Sequence, residues 1–329
     1  MSETILVTGG AGFIGSQVAR MLIQRGDRVI VFDTQQPGSE AAWWLKSVRE
    51  RITFVQGSID SWADVIAVTE QHRPDAIVHT AAIGNPNILH KRPQLALRVN
   101  VEGSLNVLEA ARIFGVRRVV VYSSIGALPS VQYEPIDTRH PVILPSEGPG
   151  TGFYGASKVA VEAFCFGYQQ AFGLDFIVLR PSAVYGFGMQ YPIYIKPMVE
   201  DALAGRPTRF GSGREFPRDY THVQDVAQLT LRALDVPADQ VRDRIFYAAT
   251  GEPLHTAGEV AQIVQSLIPT ADIAIASGLS AADQIEIRYR GRLSIQNARA
   301  QLGYTPRFTK LADGIAHYIE HYHQYQAEQ

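Results

Sequence analysis

Short apolar runs alternate with helix-period stretches along most of the chain. Runs of four to eight apolar residues predict strands at TILVT, RVIVFD, ITFVQ, AIVHTA, RRVVVYSS, DFIVLRP and RIFYAA. Apolar residues spaced by three and four predict helices at 12–25, 61–72, 94–114 and 154–172. The strands carry little polar alternation, which implies burial on both faces, as in a parallel sheet. Strand–helix alternation then calls for right-handed crossovers and a doubly wound α/β fold. After Arg180 the rhythm loosens into PSAVYGFGMQYPIY and GRPTRFGSGREFPRDY. HVQDVAQLTLRAL and RIFYAA are expected to return to the sheet, while TAGEVAQIVQSLI and the C-terminal helix build a smaller α/β lobe over its carboxyl edge.

Composition changes this picture little. Among 329 residues the formal net charge is -2, which gives no general case for nucleic-acid or membrane-surface binding. Cys165 is the only cysteine, so no intrachain disulfide can form and a reducing compartment fits. There is no basic, cleavable leader ahead of the first apolar run and no run of ~18 apolar residues. The expectation is a soluble cytoplasmic protein.

The first chemistry lies in VTGGAGFIG. Gly9, Gly12 and Gly15 stand between a strand and an amphipathic helix, with Phe13 and Ile14 opening the helix. Glycines there let the backbone approach a pyrophosphate, whose charge rests on the helix N-terminus. Asp33 closes the second strand, eighteen residues after Gly15, where a carboxylate accepts the ribose hydroxyls of adenosine. No basic residue occurs from Thr34 to Glu40, so a 2′-phosphate meets uncompensated repulsion. NAD is favoured over NADP. The expected division is a Rossmann domain for NAD over 1–180 plus 222–249, with substrate binding on 181–221 plus 250–329.

Tyr154 and Lys158 sit four residues apart, on one face of a helix. A phenol titrates near ~10, so bringing it to neutrality takes roughly 4 kcal/mol of preferential phenolate stabilisation. Lys158 and an oxidised nicotinamide are two cations able to supply it in a partly dry site. Ser124 ends the strand RRVVVYSS, on the sheet edge where such folds bind ligands, and can bond the same substrate oxygen as Tyr154.

From TGGAGFIG through HTAA, NVEGSLNVLEAAR, VVYSS, YGASK, LRPSAVYG and RDYTHVQDVA to LGYTP, the chain resembles the extended short-chain dehydrogenase/reductases of the NAD-dependent sugar epimerase/dehydratase group. The resemblance implies bound NAD(H), with Ser124, Tyr154 and Lys158 in the active site. It implies Ala81 and Ala82 along the cofactor and Asn100 ordering the site. It also implies a homodimer built on the two long helices at 94–114 and 154–172.

Three departures qualify it. The customary Asp-apolar pair near adenine is replaced by Ser58-Ile59, with Ser58 able to bond the adenine amine. Ile125-Gly126-Ala127 offers no acid or base where dehydratases carry an acidic pair, which argues against dehydration. Ala183 replaces an asparagine that contacts diphosphate in sugar-nucleotide enzymes. Arg218 matches the family's diphosphate arginine after a loop one residue longer, and Arg288, Arg290 and Arg292 lie near the second one out of register, with Arg290 the chosen candidate. An anionic substrate follows, either a nucleotide sugar or a sugar acid. The leading reading is a nucleotide-sugar 4-epimerase. The alternatives are a dehydrogenase of a smaller sugar or hydroxy acid and a non-catalytic NAD(H)-binding regulator.

Other features read as structural. His317-x-x-Glu320-His321 spells a zinc-peptidase pattern, but no third ligand follows, and the histidines are expected on a solvated helix face opposite Ile315, Tyr318, Ile319 and Tyr322. No metal is expected. Cys165 reads as a packed helix residue. Adjacent Trp43 and Trp44 are expected on different faces, one buried and one partly exposed.

Overall fold

The computed structural model describes residues 2–142 and 151–329. Seven strands form one all-parallel sheet. They are β1 (Thr4–Thr8), β2 (Arg28–Asp33), β3 (Ile52–Gln56), β4 (Ala76–His79), β5 (Arg118–Tyr122), β6 (Phe176–Pro181) and the strand Ile245–Ala248. Their order is β3, β2, β1, β4, β5, β6 and Ile245–Ala248. The sequence reverses direction between β1 and β4, so a crevice opens at their carboxyl ends. The seven apolar runs are these seven strands, and the fold is doubly wound as expected.

Apolar residues fill both faces because helices cover both. On one face, Val18, Leu22 and Ile23 of α1 (Phe13–Arg25) share a core with Ile5, Val7, Val29 and Val31. Burying one such side chain stabilises by about 2 kcal/mol. Gly26, at φ 109°, ends α1 by donating to the carbonyls of Leu22 and Ile23, a left-handed cap that a β-carbon would strain. The other face packs α3 (Trp62–His72), α5 (Gly103–Ile113) and α6 (Phe153–Phe172) on Leu6, Ile30, Ile77 and Val119. Cys165 is buried there, as expected.

The expected helix over 94–114 is two pieces. A π-helical turn, Ala96–Glu102, precedes α5 and ends directly at its first residue. Apolar spacing does not separate the two, because a single wide turn moves the buried face by only one residue. A third core joins Tyr185, Phe187 and Met198 to Val260, Val264, Leu311, Ile315 and Tyr318. It lies among α7 (Ile195–Leu203), α9 (Ala257–Leu267) and α12 (Leu311–Ala327). Small strand pairs frame this lobe, Ala183–Tyr185 with Tyr220–His222, Thr208–Phe210 with Ile273–Ile275, and Pro217–Arg218 with His255–Thr256.

Two structural readings need correction. His317 and His321 are half-buried rather than solvated. Their rings lie 4.0 Å apart, His317 meets His222 at 4.8 Å, and His321 stacks on Trp44 at 4.7 Å. Flat histidine rings fill the seam between α12 and α2 (Ser39–Leu45) that smaller polar groups leave open. Trp44 is buried and Trp43 partly exposed, but both rings contact Phe187 and His321, because wide indoles reach across an angle that separates their α-carbons. Among the described residues no three metal-ligating side chains gather, and no helix is long and apolar enough to cross a membrane.

Candidate functional site

A cleft of about 1060 Å³ runs along the carboxyl edge of the sheet. Its walls include Gly9, Gly12, Phe13, Ile14, Gly15, Asp33, Ser58, Ile59, Ala81, Ala82, Ser124, Tyr154, Ala183, Arg218 and Arg290. One continuous surface therefore unites residues that the sequence spreads over most of its length.

At one end the glycine-rich loop makes a cradle that side chains would close. Gly9 has φ 70°, and a β-carbon there would lie 2.6 Å from the amide nitrogen of Ala81. A β-carbon on Gly15 would lie 2.2 Å from the carbonyl oxygen of Gly9. Gly12 caps α1 without any side chain accepting from the helix, and no acid occupies its first turn. The first amides of α1 thus remain open to an anion, the donor set that a dinucleotide pyrophosphate needs. Asp33 accepts from the Ala11 amide at 3.1 Å through Oδ2, so the carboxylate at the end of β2 is fixed against the same loop. The residues present fit NAD.

Ser58 and Ile59 also line this end. The Ser58 hydroxyl donates to Asp60, which in turn pairs with Arg98 at 3.0 Å. The carboxylate takes the hydroxyl hydrogen, which leaves the Ser58 oxygen able to accept from an amine. Ile59 is buried, and its side chain packs where Gly103 leaves room for no β-carbon.

At mid-cleft, Ser124 and the Tyr154 phenol both line the wall. Ser124 Oγ accepts from the Gly126 amide at 3.0 Å, which fixes the hydroxyl after β5. Lys158 Nζ donates to the Tyr122 carbonyl at 2.7 Å and lies 5.7 Å from the Tyr154 ring centroid. Burial pushes the phenol up from its ordinary value, and the nearby Ser124 hydroxyl offsets part of that. Burial also lowers the Lys158 ammonium to about 8, against the attraction of Glu162. The protein alone therefore leaves Tyr154 a neutral phenol. An added positive charge at the cofactor site is what remains to favour the phenolate.

Asn100, in the π-turn, is buried rather than cleft-lining. Its Oδ1 accepts from the Ile83 amide at 2.8 Å, and its Nδ2 donates to Ser157 Oγ at 3.1 Å. It joins the turn after β4 to the helix of Tyr154 and Lys158. At the far end Arg218 and Arg290 converge on Glu286. Arg292 turns away, donating instead to the Gly251 carbonyl at 2.9 Å. The out-of-register arginine reaches the cleft because Arg290 lies one helical turn beyond Glu286.

Residues 5–249 match the family described as NAD dependent epimerase/dehydratase. The chain belongs to that family. It is an extended short-chain dehydrogenase/reductase with NAD as its cofactor. A UDP-glucose 4-epimerase of Mycolicibacterium smegmatis is 31% identical over 334 residues, covering 96% of this chain and 97% of the relative. A CDP-paratose 2-epimerase of Salmonella typhi is 29% identical over 253 residues, covering 70% and 74%. The crystal structure of a Thermus thermophilus UDP-glucose 4-epimerase with NAD superposes with TM-score 0.79 at 29% identity, covering 97% of this chain and 99% of that one.

Within this family member, the sequence reading missed a buried network beneath the lysine. Arg180 donates to both oxygens of Glu162, at 2.8 and 2.5 Å, and the Ser123 hydroxyl donates to Oε1 at 2.5 Å. Glu162 follows Lys158 by four residues, a spacing that could have flagged it. Thr151 and Glu286 were missed as well, and both line the cleft.

Proposed function

We propose that the protein is a nucleotide-sugar 4-epimerase. The observation that carries this reading is a single cleft in which Ser124 and Tyr154 share a wall with the dinucleotide cradle and a pair of arginines. Asp33, the loop at Gly9 to Gly15, Ala81 and Ala82 hold the cofactor, and Ser58 and Ile59 flank its adenine. Tyr154, once ionised, takes the proton of the sugar hydroxyl, and Ser124 orients that oxygen. Lys158 keeps positive charge beside the phenolate, and Asn100 holds the helix bearing both. Bound NAD supplies a hydride acceptor that later returns the hydride. Hydride returned to the opposite face would invert the centre with no net redox change, and Tyr154 gives its proton back to the same sugar oxygen. Arg218 and Arg290 hold the anionic part of the substrate.

Support for UDP-sugars as substrates comes from the relatives' activities. The protein is further proposed to work as a cytoplasmic homodimer, with 1–180 plus 222–249 as its NAD-binding domain. Large apolar side chains stand exposed at Leu97, Ile113, Phe153, Phe164 and Phe172, all on the two helical segments that would pair.

A panel of UDP-sugars, CDP-sugars, free sugars and sugar acids tests the reading, with NADH absorbance and product stereochemistry followed together. An epimer formed without accumulating NADH is expected. Stoichiometric NADH with a keto or lactone product, and no epimer from any nucleotide sugar, would make the protein a dehydrogenase instead.

A further inference from the structure

The far end of the cleft carries an acid between its two bases. Glu286 is the last residue of α10 (Ala281–Glu286), and a single oxygen of it, Oε2, accepts from two guanidiniums. Arg290 Nη2 lies at 3.1 Å and Arg218 Nη2 at 3.4 Å. The Nε of each arginine is buried without a hydrogen-bond partner. All three side chains line the cleft.

The members differ in how firmly they are held. Arg218 is on a strand that pairs with His255–Thr256, and its guanidinium lies 4.8 Å from the Phe216 ring centre. The Arg290 side chain is 10% exposed, whereas Glu286 is 33% exposed at the end of a short surface helix. A guanidinium pushed towards a second one and away from water is costly, and the Glu286 carboxylate offsets that cost in the free protein. The movable member of the cluster is the acid.

We propose that Glu286 is a displaceable internal counter-ion, which holds Arg218 and Arg290 together until a substrate diphosphate expels it. This rests on the nucleotide-sugar reading and narrows it towards diphosphate and away from sugar acids. A single carboxylate oxygen uses one Nη2 of each arginine and leaves both Nε groups unmet. A sugar acid would exchange one carboxylate for another of equal charge. A diphosphate brings more charge and enough acceptor oxygens to meet Nε and Nη2 of both forks, the geometry in which arginine binds phosphoryl groups best. Glu286, once displaced, has solvent to turn into. The device holds anion affinity below what two arginines alone would reach, so that free phosphate does not occupy the site and product leaves.

The test is calorimetric titration of inorganic pyrophosphate into NAD-saturated protein, with the cofactor's own phosphate cradle already filled. Removing the internal competitor in Glu286→Gln should tighten pyrophosphate about fivefold, the scale of one partly exposed ion pair. Adding Arg290→Met should abolish the gain. Unchanged or weaker binding in Glu286→Gln would overturn the proposal, as would a gain that survives loss of Arg290. Retained NAD affinity in each variant reports an intact fold. Because the measurement needs no turnover, it stands apart from the panel that tests epimerisation.

Discussion

Lys158 Nζ donates to the Tyr122 carbonyl at 2.7 Å, tying the helix of the phenol to the strand that leads into Ser124. The ammonium thus has a fixed place beside Tyr154 before any ligand arrives. Tyr154→Phe removes one oxygen from this arrangement, so fold and NAD binding should survive while turnover falls a hundredfold or more, the usual scale for a positioned acid–base group. Lys158→Ala should lose activity and also weaken NAD. Steady-state rates and a cofactor titration on both variants check this. Substantial turnover in Tyr154→Phe would assign the proton transfer elsewhere.

Cofactor choice follows from Asp33. No basic side chain from Thr34 to Glu40 can neutralise a 2′-phosphate beside its carboxylate. NAD should bind at least tenfold more tightly than NADP, a difference of about 1.4 kcal/mol. Asp33 also accepts from the Ala11 amide, so Asp33→Asn is the cleaner variant, since it keeps an oxygen for that bond. It should relax the preference while leaving the loop in place. Equal wild-type affinities for the two cofactors would refute the assignment.

The sheet was legible because seven buried strands must each be a short, nearly unbroken apolar run. TILVT and DFIVLRP could be little else. The glycine loop and Tyr154–Lys158 were legible because their chemistry depends on neighbours close in sequence. What escaped notice is made by long-range contact. Glu162 and Arg180 come from a helix and the strand after it, and nothing local says that their side chains meet below Lys158. Glu286 and Arg290 do lie four apart, but pairing with Arg218 depends on a strand that precedes them by some seventy residues. The histidines of α12 were misjudged because helical spacing shows which face they share, not what the rest of the chain lays against it.

The buried pair offers a stability test. Arg180 and Glu162 have side chains only 1% and 7% exposed, and Ser123 adds a further bond to the carboxylate. Arg180→Met strands an acid away from water and should cost about 3–5 kcal/mol in urea unfolding. Glu162→Met in the same chain should recover much of that loss, since two apolar groups replace two charges. It should also lower the Lys158 ammonium below about 8, because Glu162 is among the charges that hold it up. A loss under ~1 kcal/mol for Arg180→Met would mean that water reaches the pair.

Acid should loosen the seam under α12. Burial, then His321, Arg307 and Arg20, hold His317 down to about 4, and burial with His317, His321 and Arg307 holds His222 well below its ordinary value. Phe308 packs on His222 at 4.1 Å, and Asp225 accepts from the Arg307 and Phe308 amides, so the carboxylate is committed to that turn. Cations therefore face the two rings from α1 and the turn before α12, with His321 one turn away. An unfolded chain takes up protons near pH ~6.5, whereas the folded one refuses them until far lower pH. The contribution of these histidines is whole above pH ~6.5 and drains away as pH falls towards 4. His317 is half exposed, so its share is smaller than a fully buried ring would give. His317→Gln keeps a polar side chain of similar reach and cannot titrate. Urea midpoints of the variant should fall less steeply than those of the wild type between pH 6.5 and 4.5. Parallel curves would place the acid sensitivity in other groups.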